Sequence, residues 1–453
     1  MKPSMRTHKR LRLVILGVLT IVLPLLAQLA LAQTGFVVDE FSAISQALTV
    51  TSSSPTASNA GGDSEGTILG GERDAVLNFA SGGAAIELHI NDYGVDQLIY
   101  AASPLAKGTA EIAWDGNDND ATGLDYTGLN GADLTDGGTK DGFHIRVVEA
   151  DKDFDLELTV YTNSSDYSEY TVAETDNINE PGKSYFVRFG DFTDVGNGAS
   201  WNNVGAVVLF IDGDKETGLD LVIEFTETNS RDFGDLPSSY NNTDMADDGA
   251  RHILGDLYLG TVIDGESDGQ ESGDADGDDT LDSSDDEDGV VRTPGVNWEP
   301  GTVGEGKGGS VDVTVTGCSG TCYLSAWIDW DNNSDFADGG DKILADRAVT
   351  NGSNTDITFD IPDGTTVEGN SFYARFRLYP SSTGGSASPT GEVYNGEVED
   401  YRWSFDPTAV TLTRLDATSV PSRSPVGVAA AALAFVTCSA AVGGVLMRRW
   451  RAR

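Results

Sequence analysis

The chain has 453 residues, of which 39% are apolar and seven are Trp, so it can form two or three ordinary domains with hydrophobic cores. Its 73 acidic and 28 basic side chains give a formal net charge of -45. This composition excludes a disordered polymer, and the charge argues against nucleic acid as a partner and in favour of cations.

Residues 1–32 have the pattern of an export signal. The basic stretch HKRLR precedes the apolar run LVILGVLTIVLPLLAQLALA, which ends in the small-x-small sequence Ala30-Leu31-Ala32. The apolar run is long for a signal core, so an uncleaved signal anchor is the alternative. Both interpretations predict that the rest of the chain is exported.

Residues 33–229 form the first predicted domain. Repeated strand patterns are separated by Gly, Asp and Asn turns, and no helical stripe interrupts them. In FDLELTVYT (154–162), apolar residues alternate with Asp, Glu and Thr, which is the period of a half-buried strand. The pattern predicts a β-sandwich of the jelly-roll or Greek-key kind. Its loop WDGNDND (114–120) is a weaker candidate for metal binding.

Residues 230–406 form the second predicted domain, a β-sandwich that contains a strongly acidic segment at 264–288. Thirteen of these 25 residues are Asp or Glu and none is Lys or Arg. Asp274, Asp276 and Asp278 alternate in DADGDD and are candidate calcium ligands. A flexible acidic loop without a defined site is an equal alternative.

Two cysteines lie close together in GCSGTCYL. Cys318 and Cys322 are separated by three small or polar residues between two strand patterns, which predicts a disulfide across a hairpin turn. A metal site would need more soft ligands nearby, and the sequence offers none. The third cysteine, Cys438, lies in a C-terminal apolar segment.

The stretch WIDWDNNSDFADGGD has the spacing of a calcium-binding loop. Its candidate ligands stand at alternate positions and then further along: Asp329, Asp331, Asn333, Asp335, Asp338 and Asp341. The central Gly and the distant Glu of an EF-hand are missing, so the prediction is a calcium-binding loop between strands. A solvated acidic hairpin is the alternative.

The stretch YNGEVEDYRW places three carboxylates among aromatic residues. Strand alternation sets Glu397 and Glu399 on one face and Asp400 on the other. Carboxylates on both faces of a strand need cationic partners, which Arg375 and Arg377 of YARFRLY or calcium could supply. We expect arginine to pair with Glu397 or Glu399, and calcium or a backbone cap to meet Asp400.

Five ordered motifs of the second domain resemble the GEVED domain. They are DFGDLPSSY, DDGARH, DDEDGV, WIDWDNNSDF and YNGEVEDYRW. The resemblance implies a β-sandwich module of the kind found in secreted and surface-attached bacterial proteins. The resemblance therefore indicates the kind of protein in which such a domain occurs, and it implies no particular activity.

The C-terminal end predicts a membrane anchor. A linker at 407–424 leads to the uncharged segment 425–447, which is long enough to span a bilayer, and the basic tail RRWRAR (448–453) should stay cytoplasmic. This order resembles the sorting signals of bacterial surface proteins, although no LPxTG-type motif precedes the segment. Cleavage and retention of the tail both stay open. The sequence therefore predicts that the protein is located at the cell surface and is anchored there by this transmembrane segment.

Enzyme signals are weak. GDSEG (62–66) matches a nucleophile motif without the strand-to-helix context, and His89, His144 and His252 lack zinc spacing. We therefore expect a non-catalytic, calcium-stabilised surface protein whose β-sandwich modules serve envelope structure or adhesion, with calcium and surface glycans or another surface protein as partners.

Two other functions stay open. In the first, the N-terminal sandwich binds carbohydrate through Trp114, Trp201 or the tyrosines of YTNSSDYSEY (161–170). In the second, the protein is a glycoside-active enzyme, because glycosidase chemistry needs only two suitably separated carboxylates and this chain has dozens.

Overall fold

The computed structural model describes residues 36–63, 66–92, 94–179, 182–277 and 286–405. Fourteen described strands lie before residue 230: β1 (Phe36–Asp39), β2 (Gln46–Val50), β3 (Thr56–Gly62), β4 (Glu72–Ser81), β5 (Ile86–Ile90), β6 (Leu98–Ala102), β7 (Lys107–Trp114), β8 (Gly142–Ala150), β9 (Phe154–Asn163), β10 (Asp166–Glu174), β11 (Lys183–Arg188), β12 (Thr193–Val195), β13 (Ala206–Asp212) and β14 (Asp220–Asn229).

These strands form two seven-stranded sheets. The first has the order β11-β8-β14-β6-β5-β2, with β1 added to β14, and the second has the order β12-β10-β9-β13-β7-β4-β3. The apolar faces of both sheets contribute to one continuous core. The part of the chain before residue 230 is therefore a sandwich of two sheets.

Strand β9 shows why the sequence folds this way. Phe154, Leu156 and Leu158 are fully buried, whereas Asp155 and Glu157 between them are half-buried. Alternate side chains of a strand point to opposite faces, so one face of β9 joins the core and the other faces outward. The alternation predicted for FDLELTVYT is present in the structure.

Eleven described strands lie after residue 230: β15 (Arg231–Phe233), β16 (Arg251–Ile253), β17 (Tyr258–Leu259), β18 (Val290–Arg292), β19 (Gly309–Thr316), β20 (Cys322–Ile328), β21 (Lys342–Val349), β22 (Gly352–Phe359), β23 (Ser371–Tyr379), β24 (Glu392–Tyr394) and β25 (Val398–Ser404). Short 3-10 helices cover Leu69–Gly71, Asp136–Gly138, Phe189–Asp191, Ser238–Tyr240, Met245–Asp247 and Val303–Glu305.

The later strands form three small sheets. A four-stranded sheet has the order β21-β20-β23-β25, and β17, β18 and β22 all pair with β19 in a second sheet. The third sheet has the order β15-β16-β24, in which β16 and β24 run parallel. The first two sheets share a core that includes Val313 of β19, Leu324 of β20 and Phe376 of β23. The all-β class is confirmed, while the jelly-roll or Greek-key topology stays a prediction.

All described residues belong to one compact unit. Strand β14 ends at Asn229 and β15 begins at Arg231, whose guanidinium lies 3.1 Å from Asp141 and over the ring of Phe186. This charged and aromatic contact links the regions before and after residue 230. The predicted domain boundaries stay predictions.

The predicted cell-surface location, held by a C-terminal transmembrane segment, is corrected. Among the residues that the structure describes, no helix has the length and apolar character needed to cross a bilayer. The predicted signal at 1–32, linker at 407–424, apolar segment at 425–447 and tail at 448–453 lie outside the described residues.

Candidate functional site

The stretch GEVED leads into β25, which pairs with β23 at the edge of its sheet. The register sets Asp400 opposite Arg375, and Glu399 opposite Phe376. Gly396 precedes the strand with a φ of 120°, and a Cβ there would lie 2.0 Å from the carbonyl oxygen of Leu378. Only glycine fits this approach, so the residue fixes how β25 enters the sheet.

Asp400 forms a buried, two-pronged ion pair with Arg375. The Nε of Arg375 donates to Asp400 Oδ1 at 2.8 Å and its Nη2 donates to Oδ2 at 2.7 Å. The backbone N–H groups of Asp235 and Leu236 also donate to Oδ2, at 2.9 and 3.2 Å. A Cβ at Gly234 would lie 2.4 Å from the same oxygen, so the turn of DFGD needs its glycine. The predicted backbone cap on Asp400 is present, together with the arginine.

The structure therefore differs from the prediction that arginine pairs with Glu397 or Glu399. The register of β23 and β25 puts both arginines on the face of Asp400, away from the two glutamates. Asp400, proposed from sequence as a calcium ligand, has both oxygens occupied by nitrogen donors. A guanidinium and two amides already neutralise this carboxylate.

Arg377 is held by oxygen dipoles and a neutral histidine. Its two Nη atoms donate to backbone carbonyls, including Thr390 O at 2.7 Å and Gly391 O at 2.8 Å. Its Nε lies 3.1 Å from His252 Nε2. Burial, and then the charge of Arg377, hold the pKa of His252 well below its usual range, so the imidazole accepts this hydrogen bond. This histidine is a structural acceptor.

Glu397 and Glu399 point to the opposite face and are fully buried. Glu399 Oε1 accepts a hydrogen bond from the Gly289 N–H at 2.7 Å, and its Oε2 accepts one from the Tyr401 hydroxyl at 3.1 Å. Glu397 Oε2 accepts one from the Leu259 N–H. Glu397 Oε1 receives no hydrogen bond from any described residue. An unpaired, buried carboxylate oxygen is costly unless a cation meets it.

Two further buried acids come together with Glu397. Carboxylate oxygens of Asp232, Asp286 and Glu397 lie within 4.8 Å of one another, and we call these three residues the inner cluster. Asp232 is in β15, Asp286 precedes β18, and Glu397 precedes β25. Asp232 Oδ2 accepts a hydrogen bond from the Val398 N–H at 2.7 Å, and Asp286 Oδ2 accepts one from the Asp264 N–H at 3.2 Å. Three separate segments thus converge on one point.

The electrostatics of the inner cluster are unfavourable without a cation. Burial, and then the charges of Glu399, Asp232 and Asp286, raise the pKa of Glu397 well above its usual range. Glu266, which accepts a hydrogen bond from the Phe233 N–H at 3.0 Å, has a pKa raised in the same direction by burial and by neighbouring carboxyls. Such shifts measure the cost of holding like charges together in a low dielectric.

The predicted calcium loop is divided in the structure. Asp329 is fully buried, and its oxygens accept hydrogen bonds from the Tyr240 hydroxyl at 2.7 Å and from the Ser334 N–H at 2.9 Å. It anchors the loop from inside. Asp331 is exposed. The predicted ligands Asp329 and Asp331 are therefore not part of the acidic group that the loop forms further along.

That group consists of Asp335, Asp338 and Asp341, whose carboxylate oxygens lie within 4.8 Å of one another. Asn333 Nδ2 donates to Asp338 Oδ2 at 2.6 Å. Burial, and then nearby carboxylates, raise the pKa of Asp341 to about 6, whereas Asp335 and Asp338 are exposed. Exposed acids such as these bind cations weakly, because water already solvates them.

The candidate ligands of the acidic segment have protein partners. Asp274 forms an ion pair with Arg402, and Asp276 Oδ1 accepts a hydrogen bond from the Ser272 hydroxyl at 2.7 Å. Asp278 lies outside the described residues.

The disulfide predicted from GCSGTCYL is present in the structure. Cys318 and Cys322 are joined by a disulfide between β19 and β20.

The sequence did not predict Asp232 as a ligand, nor its contact with Asp286 and Glu397. Asp232 stands in SRDFGD, which was treated only as part of a family motif, whereas Asp286 stands in DDEDG, which follows the candidate ligands of the acidic segment. A signal was present for Asp232, which lies directly beside Phe233, whereas Asp286 lies four residues before Val290, the first residue of β18. Their convergence depends on the pairing of distant strands, which local spacing does not encode.

The aromatic residues proposed for sugar binding fall into two groups. Trp114 is fully buried and its indole N–H donates to Asp39 at 3.0 Å, while Trp201 stacks on Phe189 beside the core. Both are packing residues. Tyr161 and Tyr167 of YTNSSDYSEY instead form a half-exposed row together with Tyr126, which was not predicted from the sequence, and successive ring centroids are 5.1 Å apart. This row lies on the outward face of the second sheet. Tyr170 of the same stretch packs against Phe192 and the core.

A family model for the GEVED domain matches residues 323–403. No curated protein matches the chain. The chain is similar to a family 11 carbohydrate-binding module of a cellulosomal cellulase of Clostridium thermocellum, with 9% identity over 43% of this chain and 94% of the module, at a TM-score of 0.22. It is also similar to a beta-1,2-glucanase from Parabacteroides distasonis, with 10% identity over 82% of this chain and 38% of the glucanase, at a TM-score of 0.21.

Such low TM-scores carry no argument about this protein. The family match covers β20 and the strands after it as far as Trp403, with the loop 329–341 and the stretch GEVED inside it. It confirms the resemblance stated from the motifs. The chain contains a GEVED domain.

Proposed function

We propose that this protein is a non-catalytic β-sandwich protein whose GEVED domain is clamped by a divalent cation, calcium, at the inner cluster. The observation that carries the proposal is Glu397, which is fully buried, has one oxygen without a hydrogen-bond donor among the described residues, and faces Asp232 and Asp286. Breaking the charge balance of a buried carboxylate is strongly destabilising. A bound cation restores that balance.

Calcium is the ion that fits the donor set. The inner cluster offers carboxylate oxygens and no thiolate, and the nearby imidazole of His252 already accepts from Arg377. Hard oxygen ligands from flexible segments suit calcium, which takes six to eight of them at roughly 2.3–2.6 Å. Magnesium demands stricter octahedral geometry and retains more water, so we expect it to compete weakly.

The role of the cation is to join three segments. Asp232, Asp286 and Glu397 belong to three different sheets or their flanks, so a shared ion ties β15, β18 and β25 together. Anything that binds only the folded state stabilises it by mass action. Calcium thereby makes folding of this domain conditional on the ion.

A calorimetric calcium titration of the purified, EDTA-treated full chain tests the proposal. Glu397→Gln keeps the shape of the side chain and removes its charge, so we expect saturable binding by the parent protein and the loss of one site in the variant. Glu305→Gln, an exposed glutamate of the same region, is the matched control and should retain every site. Equal stoichiometry for all three proteins would overturn the assignment.

Carbohydrate binding is a second candidate, favoured by the row of Tyr126, Tyr161 and Tyr167. Tyrosine rings provide apolar faces for sugar rings, and Glu157 and Glu111 lie close enough to influence the Tyr161 hydroxyl. Burial, and then Tyr126, Tyr167 and the two glutamates, raise the pKa of Tyr161 to about 12, so the hydroxyl stays protonated at neutral pH and can donate. The acidic surroundings favour neutral over anionic polysaccharides.

Affinity electrophoresis in gels that contain soluble neutral polysaccharides tests this candidate. Retardation of the parent protein should be lost in Tyr161→Ala and kept in Tyr323→Ala, which changes a half-exposed tyrosine of β20. Migration unaffected by any of the polysaccharides would count against carbohydrate binding and would leave the calcium proposal intact.

A further inference from the structure

The N-terminal sandwich contains a second convergence of buried carboxylates, remote from the GEVED domain in sequence. Glu72 and Asp74 are alternate residues at the start of β4 and share one face of the strand. Asp74 lies opposite Ala113 of β7, and Asp115 and Asp118 follow directly after that strand. Two adjacent strands therefore deliver four acids to the same end of the second sheet.

These acids are in mutual contact range. Carboxylate oxygens of Glu72, Asp74 and Asp118 lie within 4.8 Å of one another. Asp115 belongs to the same group, because its carboxyl contacts that of Asp74. We call these four residues the β4 cluster. Glu72, Asp74 and Asp115 are buried, while Asp118 is exposed and opens the group to solvent.

Some carboxylate oxygens of the β4 cluster accept hydrogen bonds from the backbone and others do not. Glu72 Oε1 accepts from the Asn119 N–H at 2.9 Å, and Asp115 Oδ2 accepts from the Asp125 N–H at 2.6 Å. The other oxygen of Glu72, Oε2, receives no hydrogen bond from any described residue. Asp74 Oδ1 and Asp115 Oδ1 receive none from an N–H or hydroxyl group of the described residues, and the two carboxyls lie within hydrogen-bonding reach of each other. All three side chains are more than nine-tenths buried, so water cannot freely solvate these oxygens.

The basic residue that lies between Glu72 and Asp74 in the sequence, Arg73, pairs with other residues. Arg73 lies between Glu72 and Asp74, so strand alternation turns its side chain to the opposite face. There its Nη1 pairs with Asp39 at 2.8 Å and its Nε donates to Gln46 at 2.7 Å. The negative charge of the β4 cluster is not neutralised by this guanidinium.

The loop after β7 is shaped to close over the cluster. Gly116 has a φ of 105°, and a Cβ there would lie 2.6 Å from the carbonyl oxygen of Gly128, so the loop folds back tightly at this point. The fold brings the Asn119 N–H onto Glu72 and sets Asp118 beside it. The acids are thus held in place by backbone geometry.

We propose that Glu72, Asp74, Asp115 and Asp118 bind a second calcium ion, which fastens the loop after β7 to the start of β4. The carboxylate oxygens of these four residues are hard donors, and their number and charge suit calcium. The site does not depend on the inner cluster.

The test is a calcium titration of the full chain carrying Glu397→Gln, which isolates the β4 cluster. One saturable site should remain in this background, and adding Asp74→Asn should weaken it by at least about tenfold, since affinity follows the number of charged ligands. Asp118→Asn, at an exposed position where folding is not at stake, should also weaken it. Asp176→Asn changes an exposed aspartate of the same region and is the control.

Each result has a distinct meaning. Unchanged affinity in both Asp74→Asn and Asp118→Asn, or no saturable binding in the Glu397→Gln background, would overturn the second site. If Glu397→Gln keeps the parent stoichiometry and Asp74→Asn removes one site, the inner cluster is the assignment that fails and the β4 cluster stands. Circular dichroism of each variant confirms that its β-structure is intact.

Discussion

Three carboxylates within four residues of one chain meet three different environments. Asp400 is neutralised by Arg375, Glu399 is satisfied by an amide and a hydroxyl, and Glu397 keeps one oxygen without a donor among the described residues. All three are buried to a similar extent, so exposure does not distinguish them. The partner delivered by the neighbouring strand decides which acid is structural and which can bind a cation.

Breaking the buried ion pair between Asp400 and Arg375 should cause a large loss of stability that does not depend on calcium. Asp400→Asn leaves the buried guanidinium of Arg375 without its counter-charge, so the free energy of unfolding should fall by about 3–5 kcal/mol. The matched control is Asp274→Asn, which breaks an exposed ion pair with Arg402 and should cost less than about 1 kcal/mol. Urea denaturation in EDTA measures both, and equal losses would contradict the structural role given to the buried pair.

Glu174 predicts a pH effect in the N-terminal sandwich. Burial alone would raise its pKa, but hydrogen bonds from Lys183, Tyr185 and two backbone amides outweigh burial and lower the pKa to about 2. The folded pKa lies below the unfolded value of 4.5, so the ionised group contributes stability that is present above about pH 4.5 and is lost as the pH falls towards 2. The difference in unfolding free energy between the parent and Glu174→Gln should therefore shrink across this window. A difference that stays constant with pH would contradict the assignment.

At the scale of elements, strands were easier to predict than the contacts between them. The alternation in FDLELTVYT identifies β9, because a strand with one buried face has apolar residues at every second position, and this pattern is visible within a few residues of sequence. The partners of Glu397 leave no such pattern, since Asp232 and Asp286 come from segments far earlier in the chain. The arginine pairing was misassigned for the same reason, because it depends on the register of β23 against β25.

The loop 329–341 shows that regular spacing alone does not identify ligands. Asp329 and Asp335 both fit the alternating pattern, yet Asp329 is fully buried and hydrogen-bonded to the loop and to Tyr240, whereas Asp335 is exposed. A buried acceptor of several hydrogen bonds fixes backbone geometry. The exposed Asp335 accepts one local hydrogen bond, from the Ala337 N–H at 2.8 Å, and otherwise faces solvent and its acidic neighbours.

These two aspartates should respond differently to alanine. Asp329→Ala leaves the Tyr240 hydroxyl and the Ser334 N–H without their acceptor, so stability should fall by about 1–3 kcal/mol in calcium and in EDTA alike. Asp335→Ala should change stability in EDTA by no more than about 0.5 kcal/mol. Urea denaturation of both variants measures this, and a loss for Asp329→Ala that appears only in calcium would show that Asp329 is a ligand instead.

At the scale of the whole molecule, the charge and the fold are linked. In a chain with a net charge of -45, the negative charges repel one another and destabilise the compact folded state. Cations that bind only the folded state offset this destabilisation. The ion sites proposed for the inner cluster and the β4 cluster would place this effect at defined points in the second and first parts of the chain. Screening by monovalent salt would act over the whole surface, whereas a proposed site would take up its ion stoichiometrically.

Thermal unfolding should separate the cost of the buried charge from the gain of the cation. In EDTA, Glu397→Gln should melt at the same temperature as the parent or higher, because a neutral amide replaces a buried carboxylate that lacks a counter-ion. At a calcium concentration 100 times the dissociation constant, the parent should gain about 2.7 kcal/mol at this site and the variant should not. A variant that is less stable than the parent in EDTA, and gains as much from calcium, would mean that Glu397 is a purely structural residue.

The most direct measurement is anomalous diffraction from a crystal of the protein grown with calcium and then exchanged into terbium. The account predicts an anomalous peak between Asp232, Asp286 and Glu397, with carboxylate oxygens at roughly 2.3–2.6 Å from the ion. A cluster that contains only water, or Glu397 hydrogen-bonded to a neighbouring carboxyl with no ion between them, would contradict it.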